Sequence, residues 1–377
     1  MKILHIVGAR PNFVKAAPVM RALCGRSTAQ TLVHTGQHYD ADMSTVFFDE
    51  LDLPRPDVAL DVGPGPASVQ TGRIMLRLGP LFDRCRPDAC IVYGDVTSTL
   101  AGALAAAQHG IPVVHVEAGL RSGDRTMPEE RNRILTDHLA NMLLTPSADA
   151  NDNLVREGLP ADRIHLVGNV MIDTLVRALP RTDTGGVLRR LGVPAGAHYA
   201  LVTLHRPATV DAPDVFEGIL GVLADVSTRL PVVFPVHPRS RARLDGSRWS
   251  ARGLHLTEPL GYLDFLSLEK AATVVVTDSG GVQEETTYLG VPCLTVRDTT
   301  ERPVTVERGT NTVVGRDPGR LRDALQSVLA GREGSGGRRP NLWDGRTADR
   351  IAAVVAENPR PDHAAAWRSP DLHVPRD

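Results

Sequence analysis

Short, fully apolar runs rich in β-branched residues recur along the chain and alternate with longer amphipathic segments. Such runs are typical of parallel strands that are buried on both faces, and the segments between them have helical composition. The run at residues 274–276 is the clearest example, because a Ser-Gly-Gly turn and a predicted helix at 282–289 follow it directly. The pattern therefore predicts an α/β fold in which strands and helices alternate.

The predicted elements fall into two halves of similar architecture. Predicted strands of the first half lie at residues 3–7, 31–35, 89–93, 112–116, 142–145 and 164–167. Predicted strands of the second half lie at residues 199–204, 232–236, 254–257, 273–277, 293–296 and 312–314. Predicted helices lie at residues 13–23, 97–109, 128–135, 149–157, 213–228, 262–271, 282–289, 318–329 and 348–357. We therefore expect two doubly wound, Rossmann-like domains that face a central cleft.

The ordered pattern is interrupted between residues 179 and 194, where Thr, Asp, Gly and Pro predominate. We place the domain boundary there, which gives an N-terminal domain at 1–180 and a C-terminal domain at 195–358. The final predicted helix is expected to pack back on the N-terminal domain. Residues 359–377 form a polar, proline-rich tail that we expect to be poorly ordered.

Composition narrows the class of protein. The 377 residues are 42% hydrophobic, which supports two full cores, and no apolar run approaches the length of a membrane span. A formal net charge of −2 gives no electrostatic basis for binding nucleic acid or an anionic membrane. The four cysteines form no CxxC pair, so neither a zinc site nor a disulfide framework is indicated. The N-terminus has a strand pattern rather than that of a signal peptide, so we expect a cytoplasmic enzyme without a metal.

The Ser-Gly-Gly turn predicts an anion site at Ser279, Gly280 and Gly281. Glycines let the backbone approach a ligand, and the first amides of the following helix lack intrahelical partners. Glu284 and Glu285 lie in the first turns of this helix, where a carboxylate would repel a phosphate. We therefore expect both to accept hydrogen bonds from ribose hydroxyls, so that the segment would bind a nucleotide. The alternative is an ordinary turn between a strand and a helix.

Further candidate side chains lie at the ends of predicted strands in the first half. Asp95 and Glu117 follow two successive strands, at the edge where open α/β sheets bind ligands. Arg10 and Lys15 flank the start of the first predicted helix, which we expect Asn12 to cap. This first turn lacks the second and third glycines of GxGxxG, so no dinucleotide cofactor is expected.

Seven short segments together form a specific ordered set. They are GARP at 8–11 with Lys15, YGD at 93–95, HVEAGLRSGD at 115–124, PEERNR at 128–133, VGN at 167–169, TDSGGVQEE at 277–285 and RDTTERP at 297–303. Through this set the chain resembles the non-hydrolysing UDP-N-acetylglucosamine 2-epimerases over nearly its whole length. The resemblance implies the glycosyltransferase-B fold, in which two Rossmann-like domains surround a cleft.

The resemblance also implies roles at the matching positions. The resemblance implies that Ser279, Gly280 and Gly281 form a pyrophosphate cradle and that Glu285 is the ribose carboxylate. Arg10 and Arg302 are the implied phosphate partners from opposite domains, and Leu260 and Phe265 are the implied uracil contacts. The implied acid/base residues at the sugar end are Asp95, Glu117, Glu129, His205 and Lys15. No cofactor or metal is implied, and we expect a homodimer.

The implied reaction is the reversible C2 epimerisation of UDP-N-acetylglucosamine to UDP-N-acetylmannosamine, or of a close UDP-N-acetylhexosamine variant. It proceeds by anti-elimination of UDP to a 2-acetamidoglucal, followed by reprotonation from the other face and re-addition of UDP. Such a route needs an acid and a base on opposite faces of the sugar. It also needs stabilisation of the departing UDP, which the arginines and the Ser-Gly-Gly helix can supply.

Two segments depart from the family pattern. Residues 205–209 read HRPAT where the family usually has His-Arg-x-Glu-Asn, and residues 37–40 read QHYD where many bacterial members have Gln-His-Arg. Some bacterial members bind a second substrate molecule as an activator through these two regions. We therefore expect that this activation is absent here.

Three other functions use the same motifs. A glycosyltransferase of this fold would transfer the sugar of a UDP-sugar donor to an acceptor, although simple transfer does not need Asp95, Glu117 and Glu129 together. A hydrolysing 2-epimerase would release free N-acetylmannosamine and UDP. A non-catalytic UDP-sugar sensor would keep the nucleotide site alone. Incubation with UDP-N-acetylglucosamine separates these possibilities.

Overall fold

In a computed structural model of the protein, residues 1–26, 28–37, 48–331 and 337–358 are described. They form two parallel β-sheets, of seven and six strands. The predicted tail at 359–377 lies outside these ranges, as do His38, Tyr39 and Asp40. In the part of the chain that is described, no helix is both long and apolar enough to span a membrane.

The first sheet has the strand order β3-β2-β1-β4-β5-β6-β7. Its strands are β1 Lys2–Val7, β2 Ala29–His34, β3 Val58–Ala59, β4 Ala89–Tyr93, β5 Val113–Val116, β6 Met142–Thr145 and β7 Ile164–Leu166. The helices of this half are α1 Arg10–Cys24, α2 Ala67–Cys85, α3 Thr97–Gln108, α4 Pro128–Leu139, α5 Ala148–Arg156 and α6 Val170–Ala178, with 3₁₀ turns at Ala161–Arg163 and Leu179–Arg181.

The second sheet has the order β10-β9-β8-β11-β12-β13. Its strands are β8 Ala200–Thr203, β9 Val232–Pro235, β10 Leu254–Thr257, β11 Val274–Thr277, β12 Cys293–Thr295 and β13 Asn311–Val313. The helices are α7 Thr184–Arg190, α8 Pro207–Val210, α9 Pro213–Ser227, α10 Pro238–Arg241, α11 Gly246–Ala251, α12 Tyr262–Glu269, α13 Gly280–Leu289, α14 Pro303–Glu307, α15 Pro318–Leu329 and α16 Thr347–Glu357. In both sheets the strand order reverses at the first strand, so the predicted doubly wound α/β class is confirmed.

Each sheet is buried on both faces, as the apolar runs predict. Along β11, Val274 and Val276 pack into one hydrophobic cluster, whereas Val275 packs into another on the opposite face. Because successive side chains of a strand point to opposite faces, both clusters draw on the same short run. This burial fixes the strands and leaves their carboxyl ends to present polar side chains.

Two predicted helix starts were wrong. Helix α13 begins at Gly280 rather than at residue 282, so both glycines lie in its first turn. Helix α1 begins at Arg10, and Asn12 lies inside its first turn instead of capping it. The Asn12 side chain accepts hydrogen bonds from the amides of Gly8 and Ala9, at 2.9 and 3.2 Å, and donates one to the Tyr93 carbonyl at 2.8 Å. It therefore ties the turn after β1 to the end of β4.

The segment at 179–194, where the sequence pattern is interrupted, contains α7. The side chain of Asp183 accepts a hydrogen bond from the Gly186 amide at 2.9 Å, and Val187 and Leu188 are buried against the second sheet's core. The Thr-Asp-Gly composition that suggested a domain boundary thus supplies a helix cap and first turn. The proposed domain limits of 1–180 and 195–358 stay a prediction.

The last described helix, α16, packs on α1 of the first half. Ile351, Ala352 and Val355 share a hydrophobic cluster with Val14 of α1. Asp173 accepts hydrogen bonds from the amides of Thr347 and Ala348, at 3.0 and 2.6 Å. Burial raises the pKa of Asp173 to about 6, so at pH 7.5 its carboxylate is ionised and satisfies the open end of the helix.

Replacing this capping carboxylate should destabilise the fold. We expect Asp173→Ala to lower the free energy of unfolding by about 1–2 kcal/mol, since two helix amides lose their acceptor. Asp349→Ala is the matched control, because Asp349 is exposed in the first turn of the same helix; its effect should stay within about 0.5 kcal/mol. Urea unfolding at pH 7.5 measures both, and equal effects would contradict the capping role.

Candidate active site

A cluster of buried charged side chains lies where the two halves of the molecule meet. Glu117 follows β5 with a backbone φ of 74°, a left-handed conformation that is uncommon for a residue other than glycine. Its Oε1 atom lies 2.7 Å from the Nζ atom of the buried Lys15 side chain. A Cβ atom on Gly94 would lie 2.7 Å from the same Nζ atom, so only glycine leaves room for the pair. The strained backbone and the ion pair together fix the position of this carboxylate.

Arg302 joins the two halves through this cluster. Its guanidinium lies 3.5 Å from Glu117 of the first half and 2.8 Å from Glu284 of the second, and it also pairs with Glu301. Burial alone would lower the pKa of Arg302, but Glu284, Glu301 and Glu117 outweigh it and raise the pKa above its usual range. The charge of Arg302 is therefore permanent and compensated by three buried carboxyl groups.

Asp95 enters the cluster through Arg133. The Nη1 atom of Arg133 lies 2.5 Å from Asp95, and its Nη2 atom lies 2.7 Å from Glu130. Burial would raise the pKa of Asp95, but Arg133 and Lys15 outweigh this effect and hold the pKa below its usual range. Asp95 is therefore ionised at neutral pH, with its orientation fixed by Arg133.

In the described part of the chain, Glu129 and His205 do not take part in this ion network. Glu129 lies in the first turn of α4, and within the described residues its carboxylate makes no hydrogen bond or ion pair. The Nδ1 atom of His205 lies 3.1 Å from Asp278, whose carboxylate also accepts the His205 amide. Asp278 thereby orients the imidazole and leaves its Nε2 atom available to a ligand.

Arg10 lies near a second histidine on the same side of the cleft. The rings of His205 and His237 are 5.3 Å apart. The pKa of His237 is lowered to about 4, chiefly by burial and then by the charges of His205 and Arg10. The structure thus brings Arg10 of the first half toward the strand ends of the second.

The first turn of α13 has the features expected of an anion site. The first amides of the helix lack intrahelical acceptors, and the helix dipole favours negative charge there. A Cβ atom on Gly280 would lie 2.7 Å from Glu301 and 2.8 Å from the Cζ atom of Arg302, so the guanidinium packs directly on this glycine. A Cβ atom on Gly281 would meet only the flexible end of Met171, at 3.0 Å. Ser279 precedes the turn as its N-cap residue.

Glu285 lies further along α13 and contacts α12, the helix that also contains Phe265. Its Oε1 atom accepts a hydrogen bond from the Tyr262 hydroxyl at 2.9 Å. Burial raises the pKa of Glu285 to about 7. Leu260 and Phe265 are half-buried and pack against the cluster that contains Val282. This end of the site thus combines apolar surface with one oriented carboxyl group.

The expected ribose role of Glu284 does not agree with its position. Its Oε1 atom lies 2.8 Å from the Nε atom of Arg302, and the side chain is buried on the Glu117 side of α13. Neighbouring residues of an α-helix point about 100° apart, so Glu284 and Glu285 cannot face the same ligand group. Burial raises the pKa of Glu284 to about 7. Glu284 therefore pairs with the Arg302 guanidinium and does not face the ribose site.

Sequence reasoning assigned no role to several charged residues of the site. Arg133, Glu301 and Arg297 lie in the motif segments, and Arg297 pairs with Glu301 at 2.6 Å. Both residues of this pair lie in the loop between β12 and α14, so no helical spacing could have indicated their pairing. Among the described residues no group of three His, Cys, Asp or Glu side chains is arranged to hold a metal ion.

Comparisons with known proteins find relatives over most of the chain. The sequence model of the family described as UDP-N-acetylglucosamine 2-epimerase matches residues 22–356. A relative of that name from Methanocaldococcus jannaschii is 39% identical over 371 residues, covering 94% of this chain and 99% of the relative. A UDP-2,3-diacetamido-2,3-dideoxy-D-glucuronate 2-epimerase from Pseudomonas aeruginosa is 38% identical over 361 residues, covering 95% of this chain and all of the relative (100%).

A solved structure is similar over the same length. The crystal structure of Methanocaldococcus jannaschii UDP-GlcNAc 2-epimerase in complex with UDP-GlcNAc and UDP matches with a TM-score of 0.87 and 38% sequence identity. The match covers 95% of this chain and 100% of that chain. The two-sheet arrangement described above is therefore shared by a protein solved with a UDP-sugar bound.

Proposed function

The chain belongs to the UDP-N-acetylglucosamine 2-epimerase family, and we propose that it inverts C2 of a UDP-N-acetylhexosamine by elimination and re-addition of UDP. The predicted family, the glycosyltransferase-B-like fold and the isomerase class are confirmed. One observation carries the proposed mechanism: Lys15, Glu117 and Arg302 converge in a buried cluster that also holds Asp95. The cluster lies between the anion site of α13 and the ends of β4 and β5.

The proposed chemistry uses two carboxyl groups and a site for the leaving group. One group removes the C2 proton as the bond between C1 and the UDP oxygen breaks, and UDP departs as an anion. A group on the opposite face then returns a proton to C2 of the glycal while UDP adds back to C1. We assign these transfers to Asp95 and Glu117, with Glu129 and His205 beside them, and leave open which group faces which side. Lys15 holds Glu117 at 2.7 Å.

Departure of UDP requires stabilisation of two phosphates. We assign this role to the first turn of α13 at Ser279, Gly280 and Gly281, together with Arg302 and Arg10 from opposite halves. These groups are fixed before the reaction, which is how an electrostatic site lowers a barrier without reorganising. Glu285 would accept hydrogen bonds from the ribose hydroxyls, while Leu260 and Phe265 would contact the uracil ring.

The sugar itself is assigned as a class. One relative is named as a 2-epimerase of UDP-N-acetylglucosamine, and another as a 2-epimerase of UDP-2,3-diacetamido-2,3-dideoxy-D-glucuronate. We propose UDP-N-acetylglucosamine as the first substrate to test. Incubation followed by NMR should show UDP-N-acetylmannosamine accumulating to an equilibrium from either direction. Free N-acetylmannosamine with UDP would indicate the hydrolysing reaction, and unchanged substrate would favour a transferase or a sensor.

Kinetics should be simple in this protein. In α8, Ala208 and Thr209 occupy the positions where the family usually has Glu and Asn; Ala208 is exposed and Thr209 is buried. Neither side chain offers a carboxylate or amide to a second substrate molecule. We therefore expect a hyperbolic dependence of rate on UDP-N-acetylglucosamine, without a lag. A sigmoidal curve, or turnover of UDP-N-acetylmannosamine only after adding a trace of its epimer, would contradict this expectation.

We also propose that the enzyme is a cytoplasmic homodimer. Support for the dimer comes from α2, where the side chains of Val69 and Leu76 are 42% and 78% exposed. These residues are seven positions apart and therefore lie on one face of the helix. Light scattering on the purified protein should give twice the chain mass, and Leu76→Glu should shift the mass toward the monomer. A monomeric wild-type protein would contradict the proposal.

A further inference from the structure

A buried carboxyl group next to the ribose carboxylate has no role in the chemistry described so far. Glu269 is the last residue of α12 and is 0% exposed. In the described ranges, neither of its oxygens has a hydrogen-bond donor. The group within hydrogen-bond reach of it is the Glu285 carboxyl on α13. Two buried carboxyl groups thus face one another across the packed helices.

The described residues around this pair supply no compensating cation. Within the described residues neither Glu269 nor Glu285 forms an ion pair with Lys, Arg or His. The titratable groups that face the pair are the Tyr262 hydroxyl, the buried Cys293 thiol of β12 and, beyond Tyr262, the Glu50 carboxyl. All of these are neutral or acidic. Two adjacent carboxylates in such a place cannot both be ionised.

Because burying two carboxylate charges side by side is unfavourable, Glu269 and Glu285 hold one proton between them. Burial raises the pKa of Glu285 to about 7, and burial with the neighbouring Glu285 raises the pKa of Glu269 well above its usual range. Glu269 is the more deeply buried of the two, at 0% exposed against 4%, and Glu285 accepts a hydrogen bond from the Tyr262 hydroxyl at 2.9 Å, which favours ionisation of Glu285. Glu269 is thus the residue that keeps the proton when Glu285 is ionised.

We propose that Glu269 is a positioning residue that donates its proton in a hydrogen bond to Glu285 and so fixes Glu285 for the ribose hydroxyls of UDP. The inference rests on the proposed function, since it takes Glu285 as the ribose carboxylate. With Glu269 and Tyr262 both donating, the Glu285 carboxylate is held from two sides. Its remaining lone pairs are left for the two hydroxyls of the ligand.

Two substitutions of similar length separate the donor from the bulk of the side chain. Glu269→Gln keeps an N–H donor toward Glu285, whereas Glu269→Met keeps an unbranched chain without a donor. We expect calorimetry at pH 8 to show UDP binding within about 3-fold of wild type for Glu269→Gln. For Glu269→Met we expect a loss of about 10-fold or more, the effect of removing one hydrogen bond to a charged group.

A ligand control connects the loss to the ribose. With 2′-deoxy-UDP, which lacks one hydroxyl, the gap between the Gln and Met variants should shrink by several fold. The inference is overturned if Glu269→Met binds UDP like wild type, if the Gln variant is as weak as the Met variant, or if the gap is the same for both ligands. Thermal unfolding of each variant shows whether it is folded.

A measurement on the wild-type protein is independent of the folding of the Met variant. Infrared spectra at pH 8 should contain the carbonyl band of a protonated carboxylic acid that is absent from Glu269→Gln. Absence of this band from the wild type would overturn the inference. If the binding and infrared results are as expected but the protein does not epimerise its substrate, the proposed function alone is overturned. If the protein is an active epimerase but substitutions at residue 269 leave its UDP affinity unchanged, this inference alone is overturned.

Discussion

Asp95→Asn and Glu117→Gln should each slow epimerisation by about two to four orders of magnitude, the range expected for loss of an acid/base group. Each substitution keeps the shape of the side chain but removes its ability to take or give a proton. Asp95 is held by Arg133 at 2.5 Å and Glu117 by Lys15 at 2.7 Å, so the variants should stay oriented by the same cations. The expected loss is therefore in kcat, with KM nearly unchanged.

Glu129→Gln should lower kcat by the same range of about two to four orders of magnitude, because Glu129 is the third carboxyl group assigned to acid/base chemistry, and it should do so without a loss of stability. Its carboxylate makes no hydrogen bond or ion pair among the described residues, so removing its charge leaves no buried partner uncompensated. Its thermal stability should equal that of wild type. Asp323→Asn, an exposed residue of α15, is the control for loss of a carboxylate and should keep full activity. If the active-site variants stay within about 3-fold of wild-type kcat, the acid/base assignments are wrong.

Gly280→Val should abolish measurable UDP binding. A side chain at this position would collide with Glu301 and with the guanidinium of Arg302, and would cover the first amides of α13. A phosphate could then no longer approach the backbone of this turn, and the Arg302 guanidinium would be displaced from the anion site. Calorimetry with UDP measures the effect, and Gly221→Val in α9, where a Cβ atom meets nothing within 4 Å, is the control. Unchanged UDP affinity in a folded Gly280→Val protein would remove this turn from the site.

Arg302→Ala is a less informative test of phosphate binding than the sequence suggests. Its removal would leave Glu117, Glu284 and Glu301 buried with less compensation. Breaking a buried ion pair from one side costs about 3–5 kcal/mol in stability. A loss of UDP binding in this variant could therefore come from a disturbed fold.

Local patterns in the sequence predict the strands well. The runs that form β4 and β6 are apolar, short and buried throughout, so burial on both faces determines where they begin and end. Placement of Asp95 and Glu117 at one sheet edge follows directly from this. Helix α2 escaped prediction because Gly72, Gly79 and Pro80 interrupt it. Its buried positions at 74, 78, 81 and 82 nevertheless repeat with helical spacing, and that was the available signal.

The pairing of charges across the two halves could not be predicted from local patterns. Arg302 and Glu117 are 185 residues apart and meet only after both sheets have formed. The choice between Glu284 and Glu285 as the ribose group depended on the rotation of α13, which begins two residues earlier than expected. Tertiary packing determines both features, so a sequence pattern could name the residues without assigning their partners.

Elimination followed by re-addition is tested most directly by isotopes at the two bonds that must break. In D₂O, turnover should place deuterium at C2 of the product and, through reversal, at C2 of recovered substrate. In the same reaction, an oxygen label placed in the C1–O–P bridge should scramble into non-bridging phosphate positions, because released UDP can rotate before it adds back. Epimer formation with full retention of the C2 proton and no scrambling of the bridge oxygen would contradict the mechanism.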